Sequence, residues 1–344
     1  MTKKTTIYDI AKKLDIAAAT VSRALNNNPK ISAKTSKLVL ETAEKMNYKK
    51  NNLAFALQSG KSNSVGVIVP RINTNFFASV IMGIEEELQA EGYHVIICQS
   101  NEDEKMEIEN INTLLNAQVD GILMSISNVT EENSEIIKKV IQKNTPLIFF
   151  DRKLNIDEAS SVTINDFQGA YLATQKLIEQ GCNKIAHLSG NRSIQLYEDR
   201  FAGYKKALED NNIVFNENYV IQTKSNVESG INAMKELLEL ATPPNAVFSS
   251  SDFAALGAIQ ELKEQGINIP EDFCVFGFGN EPFTKYMELS ISTVDQSPIE
   301  MGKVTAKLFL NQIGKTKNVT MEKNIILMPQ LQIRKSSIKL QKHI

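Results

Sequence analysis

The sequence predicts an α/β protein with two parts, a small helical N-terminal head and a larger body of parallel β-sheets covered by helices. Its 344 residues, 42% of them apolar, are enough for more than one domain with a buried core. Residues 1–61 carry twelve lysines and arginines against four acids, whereas the remaining residues carry 26 basic and 36 acidic side chains. The overall net charge of -2 therefore hides a basic head on an acidic body, an asymmetry typical of chains with a nucleic-acid-binding segment.

Three short helices are predicted in the head. Thr6 and Asp9 have the spacing of a capping box, and apolar residues follow at helical spacing as far as Leu14. A second helix is predicted at 18–26 and a third at about 32–47. The third is expected to bury four side chains: Leu38, Val39, Ala43 and Met46. This is the layout of a helix-turn-helix, whose second helix enters the DNA major groove; a three-helix bundle with a solvated charged face is the alternative.

The head also carries a specific motif. The segments 7–11, 19–26 and 43–48 resemble the DNA-binding head of the lactose-repressor (LacI/GalR) family of bacterial transcription regulators, and the body resembles that family's effector domain. The resemblance implies a sequence-specific transcriptional regulator. It would bind a pseudo-palindromic operator in double-stranded DNA as a homodimer, controlled allosterically by a sugar or phosphosugar effector from carbohydrate utilisation.

The resemblance assigns DNA contacts to individual residues of the head. Arg23 matches a base-reading arginine, and a bidentate arginine–guanine pair is the commonest specific contact. Ala18 and Ala19 occupy positions that vary with operator sequence, and their methyl groups can touch a thymine methyl but cannot hydrogen-bond. Ala17 replaces the usual serine cap of this helix. Phosphate contacts, which set the register, are expected from five residues: Tyr8, Thr20, Ser22, Asn26 and Thr35.

A hinge helix and linker are predicted at 49–62, between the head (1–48) and the body (63–335), with a tail at 336–344. In the family, paired hinge helices enter the minor groove and push a leucine between base steps. The resemblance assigns this wedge to Leu57 and further DNA contacts to Asn51 and Ala54. Lys50 and Phe55 depart from the family pattern, and packing of Leu57 on the body is the alternative.

The body alternates short apolar runs with amphipathic helices. Strands are predicted at 65–69, 94–98, 121–124, 147–150, 184–188, 246–248 and 274–278. Such alternation implies parallel sheets, and there are too many strands for one compact nucleotide-binding unit. We expect two lobes, at about 64–160 and 163–290, with residues 292–334 crossing back. The resemblance implies a periplasmic-binding-protein-like pair of lobes with a ligand cleft between them.

Candidate effector contacts are sought near the carboxyl ends of strands, where ligands of open α/β sheets lie. They are Asn73, Phe76, Asp151, Arg200, Asp252, Asn280 and Gln296. Most of them follow a predicted strand, whereas Arg200 lies near the start of a helix and Gln296 follows the segment 293–295. The polar members suit hydroxyl groups and Phe76 suits an apolar sugar face, which favours a carbohydrate or phosphosugar. Arg200 matches the family's effector-binding arginine motif, whereas Gly279 stands where several members have a sugar-binding acid. The alternatives are structural: an ion pair for Arg200, caps or turns for the acids and amides, and core packing for Phe76.

Several classes of protein are disfavoured. The sequence has no phosphate loop, no GxGxxG after the first strand, no GxSxG and no HExxH, so no enzymatic activity is expected. Neither the three cysteines nor the three histidines have the spacing of a metal motif, and no metal or cofactor is expected. No apolar run is long enough for a membrane span and no secretory signal is visible, which predicts a cytoplasmic, nucleoid-associated protein with no membrane partner.

The tail lacks a leucine heptad, so a dimer is expected rather than a tetramer built by a terminal coiled coil. Two other functions stay open. The effector could be a nucleobase or another metabolite, or the chain could be a cytoplasmic ligand-binding protein whose head contacts protein, because fold does not settle function.

Overall fold

The computed structural model describes residues 5–26, 28–48, 61–127, 131–154, 156, 158–313 and 323–339. The chain divides into two units, residues 1–62 and 63–344. The predicted hinge contacts Asn51, Ala54 and Leu57 lie outside the described residues. No helix in the described part of the chain is long and apolar enough to cross a membrane.

The head consists of helices α1 (Ile7–Leu14), α2 (Ala18–Leu25) and α3 (Ala33–Lys45). The predicted capping box of Thr6 and Asp9 is present at the start of α1. The three helices share a small apolar core: Ile10, Ala11, Val21, Ala24, Val39 and Ala43. The prediction that Leu38 is buried was wrong, since 49% of it is exposed. The core stripe of α3 runs through Val39 and Ala43 at a spacing of four, which leaves the preceding residue on its flank.

The first lobe is built on a parallel sheet. Its strands are β1 (Ser64–Val69), β2 (His94–Gln99), β3 (Gly121–Met124), β4 (Leu147–Phe150), β5 (Ser160–Ile164) and β11 (Asn324–Leu327). They lie in the order β11-β5-β4-β3-β1-β2. Its helices are α4 (Asn75–Ala90), α5 (Glu104–Asn116), α6 (Glu131–Gln142) and α12 (Pro298–Ile313).

The second lobe repeats this plan. Its strands are β6 (Ile185–Ser189), β7 (Val220–Gln222), β8 (Ala246–Ser249), β9 (Cys274–Phe278), β10 (Ser292–Asp295) and β12 (Gln330–Gln332). They lie in the order β12-β10-β9-β8-β6-β7, with only β12 antiparallel to its neighbour. Its helices are α7 (Asp166–Glu179), α8 (Gln195–Asp210), α9 (Val227–Leu238), α10 (Asp252–Glu264) and α11 (Phe283–Tyr286).

The chain passes between the lobes three times within the described residues. Crossover 1 is Asn165, between β5 and α7; crossover 2 is Gln296–Ser297, between β10 and α12; crossover 3 is Met328–Pro329, between β11 and β12. The predicted return of the late segments is therefore confirmed. After this return, α12 packs closely on α4. At Gly83 of α4 the two backbones are so close that a β-carbon would lie 2.2 Å from a backbone oxygen of α12.

All seven predicted strands of the body are present, with ends displaced by at most one residue. The structure adds five that the sequence did not indicate, at 160–164, 220–222, 292–295, 324–327 and 330–332. They are only three to five residues long, and those at 160–164, 292–295 and 330–332 are mainly polar, so their apolar pattern is weak. The predicted tail also begins inside the body, because Ser336 and Ser337 are buried and the Ser336 hydroxyl donates to the Val275 carbonyl at 2.6 Å.

A neutral histidine lies in the core of the second lobe. His187, in the middle of β6, is fully buried, with the rings of Tyr204 and Phe248 each 5.0 Å from its own. Its Nδ1 lies 3.1 Å from the Phe248 carbonyl oxygen, which makes this nitrogen the protonated one. Burial lowers the pKa of His187 to about 3, so the folded protein keeps the ring uncharged near neutrality.

The replacement His187→Phe should reduce the loss of stability in mild acid. The unfolded chain binds a proton at this histidine below its ordinary pKa of 6.5, whereas the folded chain does not. Between pH 7 and pH 5 the wild type should lose about 2 kcal/mol of unfolding free energy that the variant keeps. Urea unfolding at the two pH values measures this difference, and equal losses in both proteins would contradict it.

Candidate functional site

The head presents its predicted contact residues on the surface. Tyr8 is 71% exposed, and Ala19, Arg23 and Asn26 are also exposed. The others are half-buried: Ala18, Thr20, Ser22 and Thr35. Val21 and Ala24 turn into the core, and Ala18 and Leu25 pack partly against it. The opposite face of α2, which includes Ala19 and Arg23, is left for a partner.

The local structure explains two details of this surface. Ala17 precedes α2 without a side-chain cap, as the sequence indicated. Ser32 caps α3 by accepting a hydrogen bond from the Thr35 amide, and its hydroxyl lies 2.8 Å from the Thr35 hydroxyl. Thr35 is thereby held at the N-terminal end of α3, where amide groups and the helix dipole favour a phosphate.

The positive charge of the head is accessible. Every lysine and arginine in its described part is exposed: Lys12, Lys13, Arg23, Lys30, Lys34, Lys37 and Lys45. Exposed cations around an outward-facing helix can neutralise backbone phosphates, which is the sequence-independent part of DNA affinity.

In the body, Arg200 is the centre of the candidate site. It lies on α8, is only 5% exposed, and donates from Nε to Asp166 Oδ1 at 2.7 Å. Its Nη1 donates to the Ser250 carbonyl and its Nη2 to Gln296 Oε1, both at 3.0 Å. The guanidinium carbon lies 3.6 Å from the centre of the Phe278 ring. The ion pair that the sequence left as an alternative for Arg200 is thus present, with Asp166 as the partner. The same guanidinium also contacts the predicted residue Gln296.

The first lobe contributes Asp151, directly after β4. Its Oδ2 accepts a hydrogen bond from the Ser125 hydroxyl at 3.1 Å and lies 3.8 Å from Arg152 Nε. Burial raises the pKa of Asp151, while the charges of Arg152 and Arg200 act in the opposite direction. Arg200 belongs to the second lobe, so the pKa of this carboxylate responds to a charge on the other side of the lobe boundary.

Asp252 and Asn280 meet in a network of the second lobe. The Thr293 hydroxyl donates to Asp252 Oδ1 at 2.6 Å and accepts from the Asn280 amide at 3.1 Å. Asn280 Nδ2 donates to Asp295, and its Oδ1 accepts from Arg334 Nη2 at 2.6 Å. Both predicted residues therefore hold the loop after β9 as well as lying at the carboxyl edge of the sheet. Burial raises the pKa of Asp252 to about 6.

The remaining predicted residues lie at the same edge of the first lobe. Asn73 is exposed and lines a cavity of about 340 Å3 together with Arg71, Gln99 and Asn101. Phe76 is half-buried, packs on the apolar core of this lobe, and makes an edge contact with Phe77 at 5.1 Å between ring centres. Phe76 therefore packs on the core of the first lobe, which is the structural alternative that the sequence left open.

Sequence reasoning missed several residues of this site. Asp166, Phe278 and Ser250 contact Arg200, and Arg334 reaches Asn280 from the end of the chain. Asp166 and Phe278 each lie within two residues of a strand end, which was an available signal. Glu281 is a further acid at this edge: burial and the nearby charge of Asp252 raise its pKa to about 7.

The chemistry of the body site is recognition through hydrogen bonds and charge. Carboxylates, amides and a guanidinium converge at the carboxyl ends of two sheets, where they can bind the polar groups of a small molecule. Among the described residues, no group of three or more histidines, cysteines and acids could hold a metal ion.

Comparison with known proteins identifies the family of both parts of the chain. Residues 62–335 match the family described as "Periplasmic binding proteins and sugar binding domain of LacI family". Residues 6–51 match "Bacterial regulatory proteins, lacI family". The crystal structure of the lac repressor dimer bound to operator and the anti-inducer ONPF has the same fold, with a TM-score of 0.85 at 23% identity, covering 98% of this chain and 100% of that chain.

Curated relatives resemble the chain over nearly its full length. Catabolite control protein A of Priestia megaterium is 33% identical over 334 residues, which cover 96% of this chain and 99% of the relative. The HTH-type transcriptional repressor PurR of Actinobacillus pleuropneumoniae serotype 3 is 30% identical over 332 residues, 96% of this chain and 98% of the relative. The ribose operon repressor of Halalkalibacterium halodurans is 30% identical over 311 residues, 90% and 91% of the two chains.

These relatives are regulators of transcription and not enzymes, which agrees with the chemistry of the site. The chain belongs to the LacI family of bacterial regulatory proteins and is a transcriptional repressor with an operator-binding head and an effector-binding domain.

Proposed function

We propose that the repressor binds a pseudo-palindromic operator as a homodimer and that a sugar or phosphosugar bound between its lobes controls operator affinity. The head would comprise residues 1–48, the hinge 49–62 and the effector domain 63–335, and the genes under control would serve carbohydrate utilisation. The protein would act in the cytoplasm, at the nucleoid.

On DNA, α2 would lie in the major groove with Arg23 paired to a guanine, and Ala18 and Ala19 against thymine methyl groups. Phosphates would be held by five residues: Tyr8, Thr20, Ser22, Asn26 and Thr35. Asn51, Ala54 and Leu57 would enter the minor groove. The exposure of Arg23 on a helix whose opposite face is buried supports this assignment.

The observation that carries the effector proposal is the position of Arg200. It is buried, hydrogen-bonded to Gln296 and electrostatically coupled to Asp151 of the other lobe. A ligand with several hydroxyl groups could bridge these residues, with Asp252 and Asn280 lining one side and Asn73 and Phe76 the other. The ribose operon repressor among the relatives favours a sugar.

A purine is the second candidate effector. The relative PurR is as similar to this chain as the ribose operon repressor, at 30% identity. Phe76, half-buried at the edge of the first lobe, could cover a flat base as well as a sugar face.

Selection from a random duplex pool with the full-length chain should enrich one two-fold-symmetric sequence. The Arg23→Ala variant should lose about 5- to 150-fold of its preference for that sequence, because the bidentate pair to guanine is gone. Lys45→Ala, which removes an exposed charge near the C-terminal end of α3, is the control and should keep the preference. Fluorescence anisotropy over a salt series measures both, and equal affinity of the wild type for all duplexes would refute the operator proposal.

The Asp151→Asn variant should weaken effector binding by about tenfold or more, because a neutral amide replaces a charged acceptor of ligand hydroxyls. Calorimetry with ribose, glucose 6-phosphate and hypoxanthine identifies the ligand class and measures the loss. Asp210→Asn removes an exposed acid of α8 that pairs with Lys206, and this control should bind as the wild type does. Binding of hypoxanthine alone would replace the sugar by a purine, and undiminished binding by Asp151→Asn would move the site elsewhere.

A further inference from the structure

Arg200 connects two of the three places where the chain passes between the lobes. Asp166 is the first residue of α7, immediately after crossover 1, and Gln296 is the first residue of crossover 2. Both accept hydrogen bonds from the same guanidinium, which belongs to neither segment. In sequence the two acceptors are far apart, so the arginine is a physical link between them.

The geometry of this link is that of a fork. Nε and Nη2 of Arg200 both lie 2.7 Å from Asp166 Oδ1, and Nη2 also donates to Gln296 Oε1 at 3.0 Å. Nη1 is anchored to the Ser250 carbonyl at the end of β8. A planar guanidinium can satisfy acceptors in several fixed directions at once, which a lysine ammonium cannot do in the same geometry.

Burial makes the link strong. The side chains of Arg200 and Asp166 are 6% and 7% exposed, and the Phe278 ring covers one face of the guanidinium. A buried ion pair is costly to break from one side only, because the remaining charge is left without a partner. Moving Asp166 away would leave a buried charge without a partner, whereas moving Gln296 away would break its hydrogen bond to Nη2 of Arg200.

Crossover 1 is also joined to the strand that precedes crossover 3. The Asn165 amide donates to the Leu327 carbonyl at 2.9 Å. At crossover 2, Asp295 accepts from the Ser297 amide at 2.7 Å and from Asn280 at 2.9 Å. Arg200 thus completes a set of contacts that connects all three passages of the chain.

We propose that Asp166 is a positioning residue that holds Arg200 as a clamp between crossovers 1 and 2, and that this clamp sets the lobe arrangement on which the effector acts. The regulatory part of this inference rests on the proposed function, because Arg200 would also touch the effector. A ligand that bonds to the guanidinium would change its bonds to the crossovers. Effector binding would then reach the chain segments that relate one lobe to the other.

Hydrogen–deuterium exchange of the full-length protein without ligand tests the clamp. In Asp166→Asn, exchange should rise about tenfold in peptides spanning 292–301, around crossover 2, although the substitution lies at crossover 1. Gln296→Ala should produce the reciprocal rise in peptides spanning 160–169. The β3 peptide, 121–124, reports any general loss of stability and normalises both values.

Two further variants separate a clamp from ordinary destabilisation. Glu179→Gln neutralises an exposed acid of the same helix, α7, that pairs with Lys176, and should leave both crossovers unchanged. Arg200→Lys keeps the charge and can still pair with Asp166, but it loses the fork, so exchange should rise around crossover 2 more than around crossover 1.

Increases in exchange confined to the segment that carries each substitution would overturn the clamp, whatever the ligand proves to be.

The link to regulation is tested by a separate measurement, operator affinity. On the duplex enriched by selection, Asp166→Asn should alter operator affinity in the absence of ligand by at least about threefold relative to Glu179→Gln. If exchange responds as expected and operator affinity does not, the regulatory part is refuted while the clamp stands. Failure of ribose, glucose 6-phosphate and hypoxanthine to bind would refute the effector proposal and leave the exchange result unaffected.

Discussion

The body of this repressor is organised around one buried cation. A guanidinium inside a protein must be neutralised and hydrogen-bonded, or the fold becomes unstable. Arg200 meets this condition with a carboxylate at one crossover, an amide at a second and a backbone carbonyl at a strand end. These groups converge only if both sheets direct their carboxyl ends to the same region. The alternating strands and helices of each lobe, and the return of α12 to the first lobe, produce that arrangement.

The two units of the chain use different physics for recognition. The head has a small apolar core, and its exposed basic residues surround a helix with a free outer face. Exposed charge of this kind supplies the sequence-independent part of DNA affinity. The candidate site of the body buries Arg200, Asp166 and Asp252, and burial raises the pKa of both acids to about 6. Polar contacts in such surroundings are directional, which suits discrimination among small ligands.

Much of this architecture is readable in the sequence because it follows from apolar periodicity. The capping box of Thr6 and the seven apolar strands were predicted from local patterns, and the two-lobed fold from their alternation. The five short strands were missed because pairing with neighbours, rather than their own composition, makes them strands. Leu38 was wrongly predicted to be buried. It is the neighbour of the buried Val39, and a shift of one residue turns a helical side chain by about 100°, away from the core.

The contacts among the predicted effector residues could not be read from the sequence, for a physical reason. Arg200 was identified through the family's arginine motif and Gln296 through its place after the segment 293–295, but their mutual hydrogen bond was not predicted. Asp166 was missed altogether, because a carboxylate at a helix start is commonly only a favourable interaction with the helix dipole. Its pairing with a residue 34 positions away is a property of the tertiary structure.

The most direct measurement of the central claim is a double-mutant cycle between Asp166 and Gln296 in the free energy of unfolding. The two residues have a common partner in Arg200. If that guanidinium joins them, Asp166→Ala and Gln296→Ala should be non-additive by about 0.5–3 kcal/mol. Strict additivity of the two substitutions would show that the crossovers are held independently, and would contradict the account.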